Sequence, residues 1–259
     1  MAQRIIPHLS QARLAVYEAE AGGTQPHRIG ALYVWQVELH SAWYEVLGLV
    51  EMMLRHSLDN ALADWNAQQA LVGGGGRDWL ATSAKPLSSL AKKMADDARG
   101  AAENAKKRRA PTHPRAGTQI SHDDLVAQLT FGNLAHLLPT KRTTPTIRST
   151  RATGRTNREN LWLHATINAF PNRGQVWPTG ARGDTEGRRA CLGYYVGNTI
   201  ERLRVLRNRV GHHEQTLAAN HLARHTDALT LARAIDANAA EAIADLSSVP
   251  RVLARRPRF

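Results

Sequence analysis

The residues HRIGALYVWQVELHSAWYEVLGLVEMMLRHSLDNALADWNAQQA, positions 27–70, form the longest helical pattern in the chain. Their apolar side chains recur at steps of three and four residues, which places them on one broad face of a helix. That face includes Leu32, Trp35, Leu39, Trp43, Val46, Leu47, Val50, Leu54, Leu58 and Leu62. Because alternating strand patterns are scarce elsewhere, this stretch predicts an all-α protein built around one long helix.

Helical spacing recurs along most of the remaining chain, and Gly and Pro residues punctuate it. Further helices are predicted at about 10–22, 81–109, 121–139, 160–170, 188–214 and 221–246. Basic loops separate them at about 106–120, 139–158 and 171–187, and residues 251–259 are expected to form a flexible tail. We find no internal repeat and expect one helical domain over residues 1–259.

The composition favours an anionic partner. The 259 residues carry 34 Lys and Arg against 22 Asp and Glu, a formal charge of +12, which indicates nucleic acid before membrane. Gln36, Glu38 and His40 interrupt the longest apolar run, so no membrane span or membrane partner is expected. Cys191 is the only cysteine in the sequence, which excludes an intrachain disulfide or a zinc site of several thiolates. We expect a cytoplasmic protein without a signal peptide, a metal or another cofactor.

The densest group of polar side chains is RVLRNRVGHHE, residues 204–214, at the end of an apolar-periodic helix. On a helical wheel Arg207 falls within the apolar stripe, whereas Asn208 and His212 share the roughly opposite face. Arginine can hold a phosphate through two parallel hydrogen bonds, and histidine can transfer protons near neutral pH. An arginine in an apolar seam needs a carboxylate such as Glu51, a ligand or an interface. The residues alone leave these alternatives open.

The stretch from Leu206 to Glu214 resembles the Arg-Asn-x-x-x-His motif of HEPN ribonucleases, and more narrowly the abortive-infection (Abi-like) family. Other blocks of the chain are similar to that family in the same order. They are Leu9-Ser10 with Arg13-Leu14 and Tyr17, then Ala31–Trp35, Glu51–Arg55 and Leu129–Leu134. The resemblance covers roughly residues 10–229.

The resemblance implies a HEPN-like helical bundle, here with additional helices and basic loops, that forms a homodimer with the two motifs in a shared cleft. It also implies a metal-independent endoribonuclease. The 2′-hydroxyl of the substrate would attack the adjacent phosphate and leave a 2′,3′-cyclic phosphate. Arg207 would stabilise the phosphorane, Asn208 would position the reacting groups and His212 would transfer the proton.

The family also implies antiviral defence, in which a toxin cleaves RNA during phage infection. A regulatory non-coding RNA or an antitoxin would hold it inactive. The remaining assignments concern supporting residues and RNA contacts. His213, Glu214, Glu51 and Arg55 are candidate supporting residues, although Glu51 and Arg55 also have the spacing of an ordinary helical ion pair. Phosphate contacts are expected from two basic clusters, which comprise Lys106, Lys107, Arg108 and Arg109, and Lys141, Arg142, Arg148, Arg151, Arg155 and Arg158.

Several other interpretations remain open at this stage. The protein can be a non-catalytic RNA-binding module of the same fold, or the interaction subunit of a toxin–antitoxin pair. His221 and His225 have a spacing that zinc ligands use, although chance pairs are common among twelve histidines. Trp177 lies among arginines, where it can either stack on a base or pack into the core.

Overall fold

The computed structural model describes residues 4–69, 76–140, 154–177 and 186–259, and regular structure in these ranges is entirely helical. The all-α prediction is therefore confirmed for the described residues. The helices are α1 (Gln11–Glu20), α2 (Pro26–Ala67), α3 (Leu87–Lys107), α4 (His122–Val126), α5 (Phe131–His136), α6 (Asn157–His164), α7 (Arg173–Val176), α8 (Glu186–Gly211), α9 (His221–Ile235), α10 (Ala237–Leu246) and α11 (Val249–Ala254).

The chain divides into two compact units. Unit 1 comprises residues 1–50, 202–233 and 237–259, and unit 2 comprises residues 51–201 and 234–236. The boundaries at residues 50 and 201 fall inside α2 and α8. The organisation as a single domain stays a prediction. Among the described helices, none combines the length and apolarity that crossing a membrane requires.

The core of unit 1 is organised by the first half of α2. Leu32, Leu39 and Trp43 are at most 1% exposed, as the apolar spacing predicts. The helix also continues through Gly48 without interruption. Full burial of each large apolar side chain contributes roughly 1.5–3 kcal/mol, so this face outweighs the weak helix propensity of one glycine.

The C-terminal segment of the chain is packed onto other parts of unit 1, to which it belongs. Residues 251–259, which we expected to form a flexible tail, begin inside α11, where Val252 is buried. The indole Nε1 of Trp35 donates to the carbonyl oxygen of Val252 at 2.8 Å. Arg256 lies 5.1 Å from the centroid of the Trp35 ring and donates to the carbonyl oxygen of Leu217 at 3.1 Å. The cationic side chains of this segment can be recognised in the sequence, but the distant carbonyl oxygens that fix its position cannot.

Close backbone approaches shape unit 2. A Cβ atom added to Gly193 of α8 would lie 2.7 Å from the Trp162 ring, and one added to Gly197 would overlap the carbonyl oxygen of Pro139. These two glycines, four residues apart, let α8 approach α6 and the segment after α5 more closely than any other residue type allows. Trp177 is 1% exposed with its ring 5.8 Å from that of Phe170, so its packing role is confirmed.

Two predicted helices are each divided in the structure. The capping box of Ser121 and Asp124 starts α4 as predicted, but Thr130 and Asn133 form a second capping box that starts α5. That second box satisfies the exposed N–H groups of a new helix and therefore makes the break inexpensive. The predicted helix at 221–246 is likewise divided at Asp236 into α9 and α10.

A histidine held between two carboxylates joins α2 and α4 within unit 2. His122 Nε2 lies 2.8 Å from Asp59 Oδ1, and its Nδ1 lies 2.8 Å from Asp78 Oδ1. Trp79 Nε1 also donates to Asp59 Oδ1 at 2.8 Å. The hydrogen bond to Asp59, together with that to Asp78, raises the pKa of His122 to about 8 despite partial burial.

We expect this cluster to make unit 2 less stable in alkaline solution. A pKa raised from 6.5 to about 8 corresponds to about 2 kcal/mol of unfolding free energy. This contribution is complete below pH 6.5 and is lost as the pH rises through 8. Urea unfolding at pH 6 and pH 9 should therefore show a larger decrease for the wild type than for His122→Gln, by about 2 kcal/mol. Equal decreases in the two proteins would contradict the charged bridge.

Candidate active site

The residues of the Arg-Asn-x-x-x-His motif lie on the last turn of α8 and just after it, in unit 1. Asn208 is partly exposed, and Arg207 and His212 are exposed. The His212 N–H donates to the carbonyl oxygen of Asn208 at 2.9 Å, so helical hydrogen bonding extends one residue past Gly211. This places Asn208 and His212 one above the other on the same face, as the spacing predicts. The ring of His212 makes no hydrogen bond to any residue that the structure describes.

Arg207 differs from the expectation of an arginine directed into an apolar seam. Leu203, Leu206 and Val210 of the same stripe are buried, but Arg207 is exposed. Its Nη1 lies 3.9 Å from the position of a Cβ on Gly211. The guanidinium thus extends toward the C-terminal end of the helix, a direction that a wheel based on Cα positions does not represent. The guanidinium therefore lies at the same end of α8 as His212.

The turn that ends α8 places a histidine in a left-handed conformation. His213 has φ = 53°, its N–H donates to the carbonyl oxygen of Val210 at 3.1 Å, and the Glu214 N–H donates to that of Arg209 at 2.8 Å. This pattern is a Schellman motif, in which the left-handed position is usually glycine. Histidine occurs there at an energetic cost. An exposed side chain retained against such a cost suggests a role for the side chain itself.

The side chain of Arg209 stabilises the same turn through a hydrogen bond and an ion pair. Its Nη2 donates to the carbonyl oxygen of Gln215 at 2.6 Å, and its Nε lies 3.6 Å from a carboxylate oxygen of Glu214. We expected Glu214 to support a histidine. Among the described contacts its carboxylate pairs with Arg209 instead. The cations at this end of α8 also face the negative end of the helix dipole, which favours them.

Thr216 then ties the turn to α2 and α9. It is fully buried, its N–H donates to Gln36 Oε1 at 3.1 Å, and its Oγ1 lies 3.0 Å from His40 Nε2. Its carbonyl oxygen accepts from His221 Nε2 at 2.8 Å. All three polar groups of this residue are therefore satisfied, which matters because each buried group left unpaired costs about 1–3 kcal/mol.

His221 is a core residue of this network. In addition to its bond with Thr216, its Nδ1 accepts from Trp43 Nε1 at 2.9 Å. Both ring nitrogens are thus occupied by protein groups. Burial, followed by the nearby Arg256 and Arg209, lowers the pKa of His221. Within the described residues, no three His, Cys, Asp or Glu side chains are grouped to hold a metal ion.

A cavity of about 260 Å³ lies between α2 and the end of α8, wholly within unit 1. Helix α2 contributes six residues from Tyr33 to Tyr44, and the end of α8 contributes Val210 and His213. His40 faces this cavity from the buried side. Desolvation, with the neighbouring His221, His213 and Arg209, lowers the pKa of His40 to about 4, so its imidazole is neutral at physiological pH.

This cavity is the part of the site that the sequence reasoning missed. His40 was considered only as a polar interruption of the apolar run. The available signal in the sequence is the position of His40 three residues before Trp43, on the apolar face of α2. In the structure His40 is 7% exposed, whereas Glu38 is exposed. A buried polar residue on an otherwise apolar helix face is an informative observation in a core.

The predicted supporting pair on α2 belongs to unit 2. Arg55 Nη2 donates to Glu51 Oε1 at 2.8 Å, which confirms the helical ion pair four residues apart. Arg55 Nε is buried without a hydrogen bond to any described residue. The motif and the cavity belong to unit 1, so the described structure does not group this pair with them.

The predicted RNA-contacting cations fall into three groups. Lys106, Lys107 and Arg108 lie at the end of α3 with Lys107 and Arg108 exposed, whereas Arg109 donates to Asp124 Oδ1 at 2.8 Å and is largely covered. Arg155 pairs with Glu186, and Arg158 donates to His136 Nδ1 at 2.7 Å. The third group lies outside the described residues and comprises Lys141, Arg142, Arg148 and Arg151. Arg109, Arg155 and Arg158 thus have partners within the protein itself.

Comparison with protein-family models, curated proteins and solved structures finds no match to this chain. The case for a function therefore depends on the residues at the end of α8 and on the cavity beside them.

We expect His213→Gly to stabilise the protein. Glycine adopts the left-handed conformation without the steric penalty of a Cβ, so the unfolding free energy should rise by about 1 kcal/mol. The matched control is His212→Gly, at a position of normal φ, which should lower it by about 0.5–1 kcal/mol. Urea unfolding monitored by circular dichroism measures both. A destabilised His213→Gly variant would contradict the strained turn.

Proposed function

We propose that this protein is a metal-independent endoribonuclease of the HEPN superfamily, in its Abi-like family. The observation that carries the proposal is the common placement of Arg207, Asn208 and His212 at one exposed helix end. These side chains supply a phosphate-binding cation, an orienting amide and a group that transfers protons near neutral pH. The formal charge of +12 supports an anionic substrate.

In the proposed mechanism the 2′-hydroxyl of one ribose attacks the phosphate on its 3′ side. The P–O bond to the next nucleotide breaks, and the products carry a 2′,3′-cyclic phosphate and a 5′-hydroxyl. The guanidinium of Arg207 stabilises the negative charge that develops on the phosphorane. His212 transfers a proton, and Asn208 orients the reacting groups. Arg209 and Glu214 hold the turn that presents His212.

Two copies of the chain would place their α8 helices at a common two-fold interface. Val205 supports this arrangement, because it is a large apolar side chain on α8 that is 46% exposed, close to the motif. An isologous contact would bring both motifs into one cleft. We further propose a role as a toxin in anti-phage abortive infection, with a regulatory RNA or an antitoxin as the inhibitory partner.

Replacement of His212 should abolish detectable cleavage while the fold is retained. General acid–base catalysis contributes about 10²–10⁴-fold, so His212→Ala should lower the cleavage rate by at least that factor. The measurement is the rate of cleavage of total cellular RNA in EDTA by purified protein. Cleavage by His212→Ala at the wild-type rate would contradict the proposal.

The matched control is His164→Ala. His164 is an exposed histidine near the end of another helix, α6, in unit 2. It should retain the wild-type rate. RNA that binds the wild type with salt-sensitive affinity but is never cleaved would instead favour the non-catalytic RNA-binding function.

A further inference from the structure

The cavity beside the motif has the size of a site for one small ring system. Sites for drug-sized ligands occupy about 300–1,000 Å³, and this cavity measures about 260 Å³. Among the described residues that line it, none is Asp, Glu, Lys or Arg. Because the pKa of His40 is lowered to about 4, the cavity gains no charge from this ring at physiological pH. It therefore suits an uncharged planar group rather than a phosphate.

The lining combines aromatic surface with groups that can form hydrogen bonds. Tyr33 and Tyr44 both line the cavity, and Tyr44 is 73% exposed, which leaves its ring accessible to a partner. The Nε2 atom of His40 is hydrogen-bonded to Thr216 Oγ1. The Nδ1 atom of His40 forms no hydrogen bond with any described residue. Proteins recognise the bases of single-stranded RNA by stacking aromatic rings on them and by forming hydrogen bonds with the base edges.

His213 connects this cavity to the motif. It lines the cavity, and it follows His212 directly in the chain, at a Cα separation of about 3.8 Å. A base held against His213 therefore lies beside the turn that carries His212. The left-handed conformation of His213 is the second, independent observation. Glycine is the usual residue at such a turn, whereas here a histidine occupies it and lines the cavity.

We propose that this cavity binds one nucleobase next to the scissile phosphate and thereby determines which nucleotide is cleaved. The inference rests on the proposed ribonuclease function. Tyr44 stacks on the base, and His40 and His213 contact its edge. These residues are specificity determinants, whereas Arg207 and His212 act on the phosphate.

The test is the base preference at the cleavage site, mapped on RNA of randomised sequence. We expect the wild type to prefer one base at the position beside the cut. Tyr44→Ala and His213→Gly should reduce that preference, because a base that is no longer held in the cavity is not read at its edge. The stack lost in Tyr44→Ala should also weaken binding of the base by about 5- to 150-fold. Tyr44→Phe keeps the ring and should keep the preference. Leu222→Ala removes another exposed side chain of unit 1, 65% exposed and outside the cavity, and should also keep it.

The expected gain in stability of His213→Gly separates a lost contact from a damaged fold. A wild-type preference retained by both Tyr44→Ala and His213→Gly would overturn the inference and leave the ribonuclease function intact. If the wild type cleaves no RNA, binding of labelled A, C, G and U 12-mers to the same variants replaces the cleavage readout. Discrimination among the four that Tyr44→Ala loses would support the base site without the ribonuclease. Equal binding of all four by the wild type would overturn it.

Discussion

Three hydrogen bonds of Thr216 hold the candidate site together. This buried residue bonds to Gln36, His40 and His221, so it joins the segment after α8 to α2 and α9 within unit 1. The position of the turn at His213 and the cavity between this turn and α2 depend on this junction. A polar network of this kind is stable only if every member is satisfied, which is the case for Thr216.

The sequence predicts the parts of this fold that depend on local periodicity. The bounds of α2 and α8 agree with the predicted 27–70 and 188–214 within a few residues, because their apolar stripes are long. The starts of α5 and α10 were not predicted. Breaks within continuous helical patterns depend on local capping, as at Thr130, which competes closely with an uninterrupted helix. The docking of α11 depends on acceptors distant in sequence, such as the carbonyl oxygen of Leu217 for Arg256.

The candidate site likewise has features that can be predicted from the sequence and features that cannot. The motif is readable from the sequence because Asn208 and His212 are four residues apart on a helix. The exposed position of the Arg207 guanidinium cannot be predicted from the sequence, because the direction of a long side chain depends on its surroundings. The cavity was also not predicted, since it requires residues 33–44 to meet residues 210–213. The left-handed φ of His213 has no sequence signal, because the usual glycine is absent.

Some of the cations predicted to contact RNA form pairs within the protein, whereas others remain exposed. Arg109, Arg155 and Arg158 were predicted to contact RNA, but each has a partner within unit 2, and Arg115 adds two bonds to Asp124. Lys107 and Arg108 remain exposed at the end of α3. Arg109, Arg155 and Arg158 are therefore less available to a polyanion than their positions in the sequence suggest, although such pairing leaves the formal charge at +12.

In the proposed mechanism the 2′-hydroxyl of the substrate is the nucleophile. The most direct measurement maps one cut in a defined RNA in EDTA and then replaces the nucleotide on the 5′ side of that cut by its 2′-deoxy form. The account predicts that cleavage at that position disappears while other cuts persist, because the deoxynucleotide lacks the attacking oxygen. Continued cleavage at the deoxy position would contradict it, since a water molecule would then have to be the nucleophile.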